Sequence, residues 1–275
     1  MNAAPPSRQA AAARPTRAAA ELGLAGALWR RDMMRLARDP ARWIGVVVQP
    51  LLFWLLLGSG LGSVFTLRGV GELSYLQFFF PGLLVMVVLF TTIFAMMAVI
   101  EDRQHGILQQ VLTAPGSRTA LVLGKIAGVA TVALVQVLLT LLAAPAAGFD
   151  LGAVAWPSLA TAFLTGTAGL TALSFTLAWV LRSTAGYHAL MAVFLLPLWL
   201  VSGAMFPPAA GWLGALMTAN PMTYLVDAFR HALHGGTAPV ALASPAVAQL
   251  VLLGFALLLT ALAVTVARRV PGASR

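Results

Sequence analysis

Asp227, His231 and His234 are the one group in the chain whose types and spacing suggest a reactive cluster. His231 and His234 stand three residues apart, with Asp227 close before them, while His105 and His188 lie on other segments. A zinc-type site needs three or four ligands, and Asp227 is the sole third candidate nearby. Cysteine is absent, so neither a disulfide framework nor a thiolate metal site is available. Nucleotide hydrolysis is excluded for the chain alone: its single lysine, Lys125, follows Gly124 but precedes Ile126, where a phosphate-binding loop needs a hydroxyl. The other charges that draw notice are Glu101, Asp102 and Arg103, set directly after an apolar run.

The elements that carry these residues follow from composition. Sixty per cent of the 275 residues are apolar and 9% are charged, too few charges to wet the surface of a soluble domain of this length. Uncharged runs at 73–100, 126–149 and 151–181 each exceed the ~20 residues that cross a hydrocarbon core. The sequence therefore predicts an all-α integral membrane protein with six transmembrane helices, at about 45–63, 76–100, 125–147, 157–181, 188–206 and 247–267. Together they form one six-span transmembrane domain over 43–269.

The flanks divide differently. Residues 1–20 are rich in Ala, Pro and Arg, without a cleavable signal, and read as a disordered cytoplasmic tail. Residues 21–42 interleave leucines with Arg30, Arg31, Arg35 and Arg38, the pattern of an amphipathic helix in the headgroup layer with arginines toward phosphates. Pro40 breaks that helix before the first span. With both termini in the cytoplasm, including a short tail at 270–275, fifteen basic residues lie inside, and Arg68 and Arg230 lie outside. Charge spread over helix ends in this way is membrane topology, not a nucleic-acid-binding face.

Two segments stand apart from the spans. In the first cytoplasmic loop, Glu101, Arg103 and Gly106 lead to Leu108, Val111 and Leu112, which share one side of a short helix that stops at Pro115. Such a helix between two spans is a compact handle for a partner. The segment 207–236 is too polar for a span and is broken by Pro207, Pro208, Asn220 and Pro221, so it reads as short helices at a membrane edge.

These residues carry a resemblance. The basic approach at 31–40, Pro81 and Gly82, the block from Glu101 through Arg103, Gly106, Leu112, Pro115, Ser117 and Arg118 to Lys125, and the late block Ser202, Gly203, Phe206, Pro207, Asn220, Pro221, Tyr224, Asp227 and Arg230 resemble the membrane subunit of bacterial ATP-binding-cassette exporters of the second type. That permease family includes drug-resistance, nodulation-factor and polysaccharide exporters. The resemblance implies a half-transporter in the bacterial plasma membrane, paired as a homodimer or with a second permease half, and served by two ATPase subunits that bind ATP and Mg. This chain itself would hold no cofactor and contact lipid but no nucleic acid. Glu101, Arg103, Gly106, Leu108, Leu112 and Pro115 would then form the coupling helix, Arg30, Arg31, Arg35 and Arg38 its interfacial companion. Pro207, Asn220, Pro221, Tyr224, Asp227 and Arg230 would belong to re-entrant helices on the outer side.

The function so implied is mechanical export of an amphipathic drug-like, lipid-like or glycan substrate by alternating access, without covalent chemistry. Gly124, Gly128, Gly166 and Gly169 are candidate positions for close helix packing. Two other classes are weighed. A secondary transporter driven by an ion gradient needs a buried carboxylate or an unwound helix near the midplane, and a membrane enzyme would have to use Asp227, His231 and His234.

Overall fold

The computed structural model describes residues 16–37, 40–62, 73–106, 117–181 and 183–269, and every regular element among them is helical. In chain order these are α1 (Arg17–Ala37), α2 (Pro40–Gly62), α3 (Tyr75–Gln104), α4 (Arg118–Leu141), α5 (Trp156–Val180), α6 (Thr184–Ala204), α7 (Gly211–Ala219), α8 (Pro221–Leu233) and α9 (Pro245–Arg269). Helices α3, α4, α5, α6 and α9 are long and apolar enough to cross a membrane, and α2 adds the shorter apolar stretch Val48–Gly60. The chain is thus an all-α, multi-pass membrane protein.

Local chemistry sets where the helices begin. Ser74, Ser117 and Ser183 each accept a hydrogen bond from an amide three residues on, at Gln77, Ala120 and Gly186. A cap of this kind is worth about 1 kcal/mol. Pro40 and Pro221 open α2 and α8 at the position where a missing amide hydrogen costs nothing. The Ser117 cap moves the third span: α4 starts seven residues before the expected 125 and ends at Leu141, with turns and the 3₁₀ segment Pro145–Ala147 following. Helix also starts at Arg17, inside the segment expected to be a disordered tail; residues 1–15 lie outside the described residues.

Helix α3 is the centre of the bundle. Phe78 through Leu89 are buried without interruption, the mark of a helix apolar on all sides that is enclosed by others. It packs against α2, α4, α5 and α8. Glycines bring the helices close: a Cβ at Gly82 would lie 2.5 Å from Ala204 Cβ, and one at Gly166 or Gly169 would collide with Leu225 or Phe255. Leu253, Leu257 and Leu258 on α9 stay exposed, as lipid-facing positions do.

Helix α6 is not a regular α-helix. Two π-helical turns, Met191–Leu195 and Leu200–Ala204, flank the short α-helical piece Leu196–Trp199. Pro197 has no amide hydrogen to give to the preceding turn, and Gly203 takes a left-handed conformation at φ 80°. The segment after α6 then divides into α7 and α8, separated at Asn220, whose side chain caps Met222 N.

Candidate functional site

Polar side chains gather at the two ends of the bundle. At the basic end, the last turn of α3 carries Glu101, Asp102 and Arg103 on different sides. Glu101 is exposed, and its backbone oxygen accepts the amide hydrogen of His105. Asp102 is buried and accepts a 2.8 Å hydrogen bond from Arg31 Nη2 of α1. Arg103 reaches α5, donating to the Trp179 carbonyl at 2.9 Å with its guanidinium 4.9 Å above the Trp179 ring. Leu108, Leu112 and Pro115 lie outside the described residues, and Gly106, the last residue described before them, has φ 72°.

Helix α1 runs beside α4. A Cβ at Gly124 would lie 3.0 Å from Ala25 Cα, and one at Gly128 would lie 3.2 Å from Asp32 Oδ2. Lys125 is therefore not the first residue of its helix, where the span expected at 125–147 put it. It is two turns inside α4, 4% exposed, with Nζ donating to both Asp32 oxygens at 2.9 and 3.2 Å. Arg31, expected to face phosphates with the other α1 arginines, instead pairs with the buried Asp102 carboxylate. Arg30 is exposed; the Arg35 side chain and Arg38 lie outside the described residues.

The opposite end is organised by α8. Arg230 is 2% exposed and donates to Asp227 Oδ1 at 3.3 Å and to the Gly203 carbonyl at 2.9 Å, with the Phe78 ring 4.7 Å away. Asp227 Oδ2 accepts the amides of Leu242 and Ala243, both at 2.9 Å. Asn220 Nδ2 donates to the Leu198 carbonyl at 2.6 Å, Tyr224 Oη donates to the Thr218 carbonyl at 2.7 Å, and Pro207 is half-buried beside the broken end of α6. Irregular backbone at membrane depth survives only where protein groups satisfy it, and here Arg230, Asn220 and Asp227 do so.

The same geometry answers the reactive-cluster reading of Asp227, His231 and His234. His231 Nδ1 accepts the Ala238 amide at 2.9 Å, and Nε2 lies 2.8 Å from the Ala243 carbonyl, so both ring nitrogens hold the loop before α9. His234 Nδ1 lies 2.8 Å from the Arg230 carbonyl, and burial keeps its imidazole below the ordinary histidine range. Asp227 is shared between Arg230 and two loop amides, His231 and His234 Nδ1 meet backbone groups, and no metal-ligand grouping occurs among the described residues.

Between the two ends, α2, α3 and α6 border a cavity of about 400 Å³. Phe53, Phe90, Phe94 and Leu200 line it, and Gln49 is its polar group. Trp199 faces it from the irregular part of α6, with Nε1 donating to the Gly82 carbonyl at 2.9 Å. Neither the irregular part of α6, which lies inside the span expected at 188–206, nor the cavity is marked by any local pattern, because the lining comes from three helices far apart in the chain.

The comparisons agree with one another. The family model described as ABC-2 type transporter matches residues 24–234, well over half of the chain. A putative transport permease, ycf38, of Cyanophora paradoxa is 30% identical over 210 residues, covering 74% of this chain and 71% of the relative. The daunorubicin resistance ABC transporter permease protein DrrB1 of Streptomyces coeruleorubidus is 28% identical over 236 residues, 81% of this chain and 78% of that one. The ycf38 protein of Porphyra purpurea is 29% identical over 214 residues, 74% and 72% of the two chains.

Proposed function

The chain belongs to the ABC-2 type transporter family, and from that premise we propose that it is the permease half of an ATP-driven exporter, working as a pair with two separate ATPase subunits. The family match, which spans both charged ends and the helices between them, carries the proposal. ATP and magnesium would bind the ATPases. The basic end would face the cytoplasm of a bacterial plasma membrane, and the α8 end would face outward.

In this reading the segment that follows Glu101 and Arg103, through Gly106, Leu108 and Leu112 to Pro115, is the surface offered to the ATPase. Closure of the ATPases on nucleotide pushes that segment, and α3 and α4 carry the motion into the bundle. The cavity bounded by α2, α3 and α6 suits the substrate: its size falls in the ordinary range for small-molecule sites, and its walls are apolar and aromatic with one amide. An amphipathic drug-like or lipid-like molecule matches those walls. The Streptomyces relative is named for daunorubicin resistance, which is the same class of cargo. The described spans place no unpaired carboxylate at mid-depth for a driving ion, and Asp227 is held by Arg230 and by the amides of Leu242 and Ala243.

The test is reconstitution of the chain with its ATPase in proteoliposomes. ATP-dependent movement of a fluorescent amphipathic cation is the expected result. Movement driven by a proton or sodium gradient, with the ATPase left out, would replace this reading with a secondary transporter.

A further inference from the structure

The loop between α3 and α4 has two stems, and both are fastened to a third helix. Asp102 in the last turn of α3 pairs with Arg31 of α1 at 2.8 Å. Lys125 of α4 pairs with Asp32 of α1 at 2.9 Å. Arg31 and Asp32 are adjacent and lie 3.5 Å apart, so four charges of alternating sign run Asp102, Arg31, Asp32, Lys125 across three helices. The outer members of the chain, Asp102 and Lys125, are each 4% exposed, and a buried charge is stable only beside its partner. Contact on both sides of these pairs seats α1 firmly: Ala25 abuts Gly124, and Trp29 Nε1 donates to Thr131 Oγ1 at 2.9 Å.

We propose that Asp32 and Lys125, with Arg31 and Asp102, are positioning residues that clamp both stems of the α3–α4 loop to α1, so that a push on the loop moves α1, α3 and α4 as one body. This rests on the exporter reading. Without the clamp, α3 and α4 are free to splay when the loop is loaded, and ATP is hydrolysed with less movement of substrate. The charges need not touch the substrate or the nucleotide to have this effect.

Geometry supplies a reversible test. A Cβ at Gly128 would lie 3.7 Å from Asp32 Cβ, within the separation a disulfide spans, and the chain has no cysteine of its own. The double variant Asp32→Cys with Gly128→Cys is reconstituted with the ATPase and assayed reduced and oxidised at equal membrane abundance. Reduced, it lacks the ion pair, and substrate moved per ATP hydrolysed is expected to fall several-fold below wild type. Oxidised, a covalent link replaces the clamp, and that ratio is expected to recover.

Lys125→Met, which keeps an unbranched apolar stem one atom shorter and removes the charge, is expected to match the reduced pair, and so tests the clamp without cysteines. A ratio equal to wild type in both redox states would overturn the proposal. So would transport that is lost only on oxidation, because α1 would then have to leave α4 in each cycle. Wild-type protein that moves no substrate with ATP would instead defeat the exporter reading.

Discussion

The Arg230 guanidinium donates a 2.9 Å hydrogen bond to the Gly203 carbonyl, tying α8 to the point where α6 stops being helical. Gly203 is left-handed, and its carbonyl has left the regular ladder of α6. A buried cation satisfies that oxygen, and Asp227 balances the cation. One charged residue thereby holds α8 to both Asp227 and the irregular end of α6.

Removing Arg230 leaves the Asp227 carboxylate and the Gly203 carbonyl buried with one fewer donor. Arg230→Met is expected to lower stability by about 3 to 5 kcal/mol, the cost of breaking a buried pair from one side. Arg230→Lys keeps the charge but cannot reproduce the two-pronged geometry, so it should fall between wild type and Met. Thermal unfolding of the purified protein in detergent reads both. An unfolding midpoint for Arg230→Met equal to wild type would contradict the role given to this pair.

Two glycines in the spans should respond in opposite ways. Gly82→Ala drives a methyl to within 2.7 Å of the Ala204 backbone, and overpacking of that kind costs about 1 to 3 kcal/mol. Gly254 has nothing within 4 Å of where a Cβ would stand. Gly254→Ala should therefore keep or gain stability, by up to about 1 kcal/mol, through the better helix propensity of alanine. The same unfolding assay compares them, and equal shifts would mean that α3 and α6 are not packed as described.

Neighbouring acids at the end of α3 should separate stability from coupling. Glu101 is exposed, so Glu101→Ala is expected to leave the unfolding midpoint unchanged while lowering transport with the ATPase. Asp102→Ala removes the buried acceptor of Arg31 and should cost about 1 to 3 kcal/mol. Leu108→Asp, in the proposed ATPase contact, should leave folding intact and reduce export more than Glu101→Ala, since a charge pressed against an apolar groove is unpaired. Full export by Leu108→Asp at equal abundance would return that loop to a plain connector.

Topology gives a fourth test. Reporter fusions in the loop 107–116 and after Arg269 are expected to read cytoplasmic, and one at Asp150 to read external, because Arg103 and Arg118 flank the first site and Arg268, Arg269 and Arg275 gather at the second. An external signal at Arg269 would invert the proposed orientation.

The sequence by itself determined the class of this protein and much of its helix plan. Hydrophobic length is a sum over neighbours in the chain, so long uncharged runs announced the spans. Pro207, Asn220 and Pro221 likewise showed that the segment 207–236 was broken, and the Asp227 to Arg230 spacing permitted the pair that forms.

Only the tertiary structure decided which charges face inward. Nothing local distinguishes Glu101 from Asp102, since the partner that buries Asp102 is 71 residues away in the chain, and the carboxylate that holds Lys125 is 93 away. The same holds for the cavity walled by α2, α3 and α6, and for His231 and His234, whose spacing suited a metal until the loop before α9 took up the His231 nitrogens and the Arg230 carbonyl met His234 Nδ1. A buried polar group takes whatever partner packing brings within reach, and packing joins segments that the order of residues keeps apart.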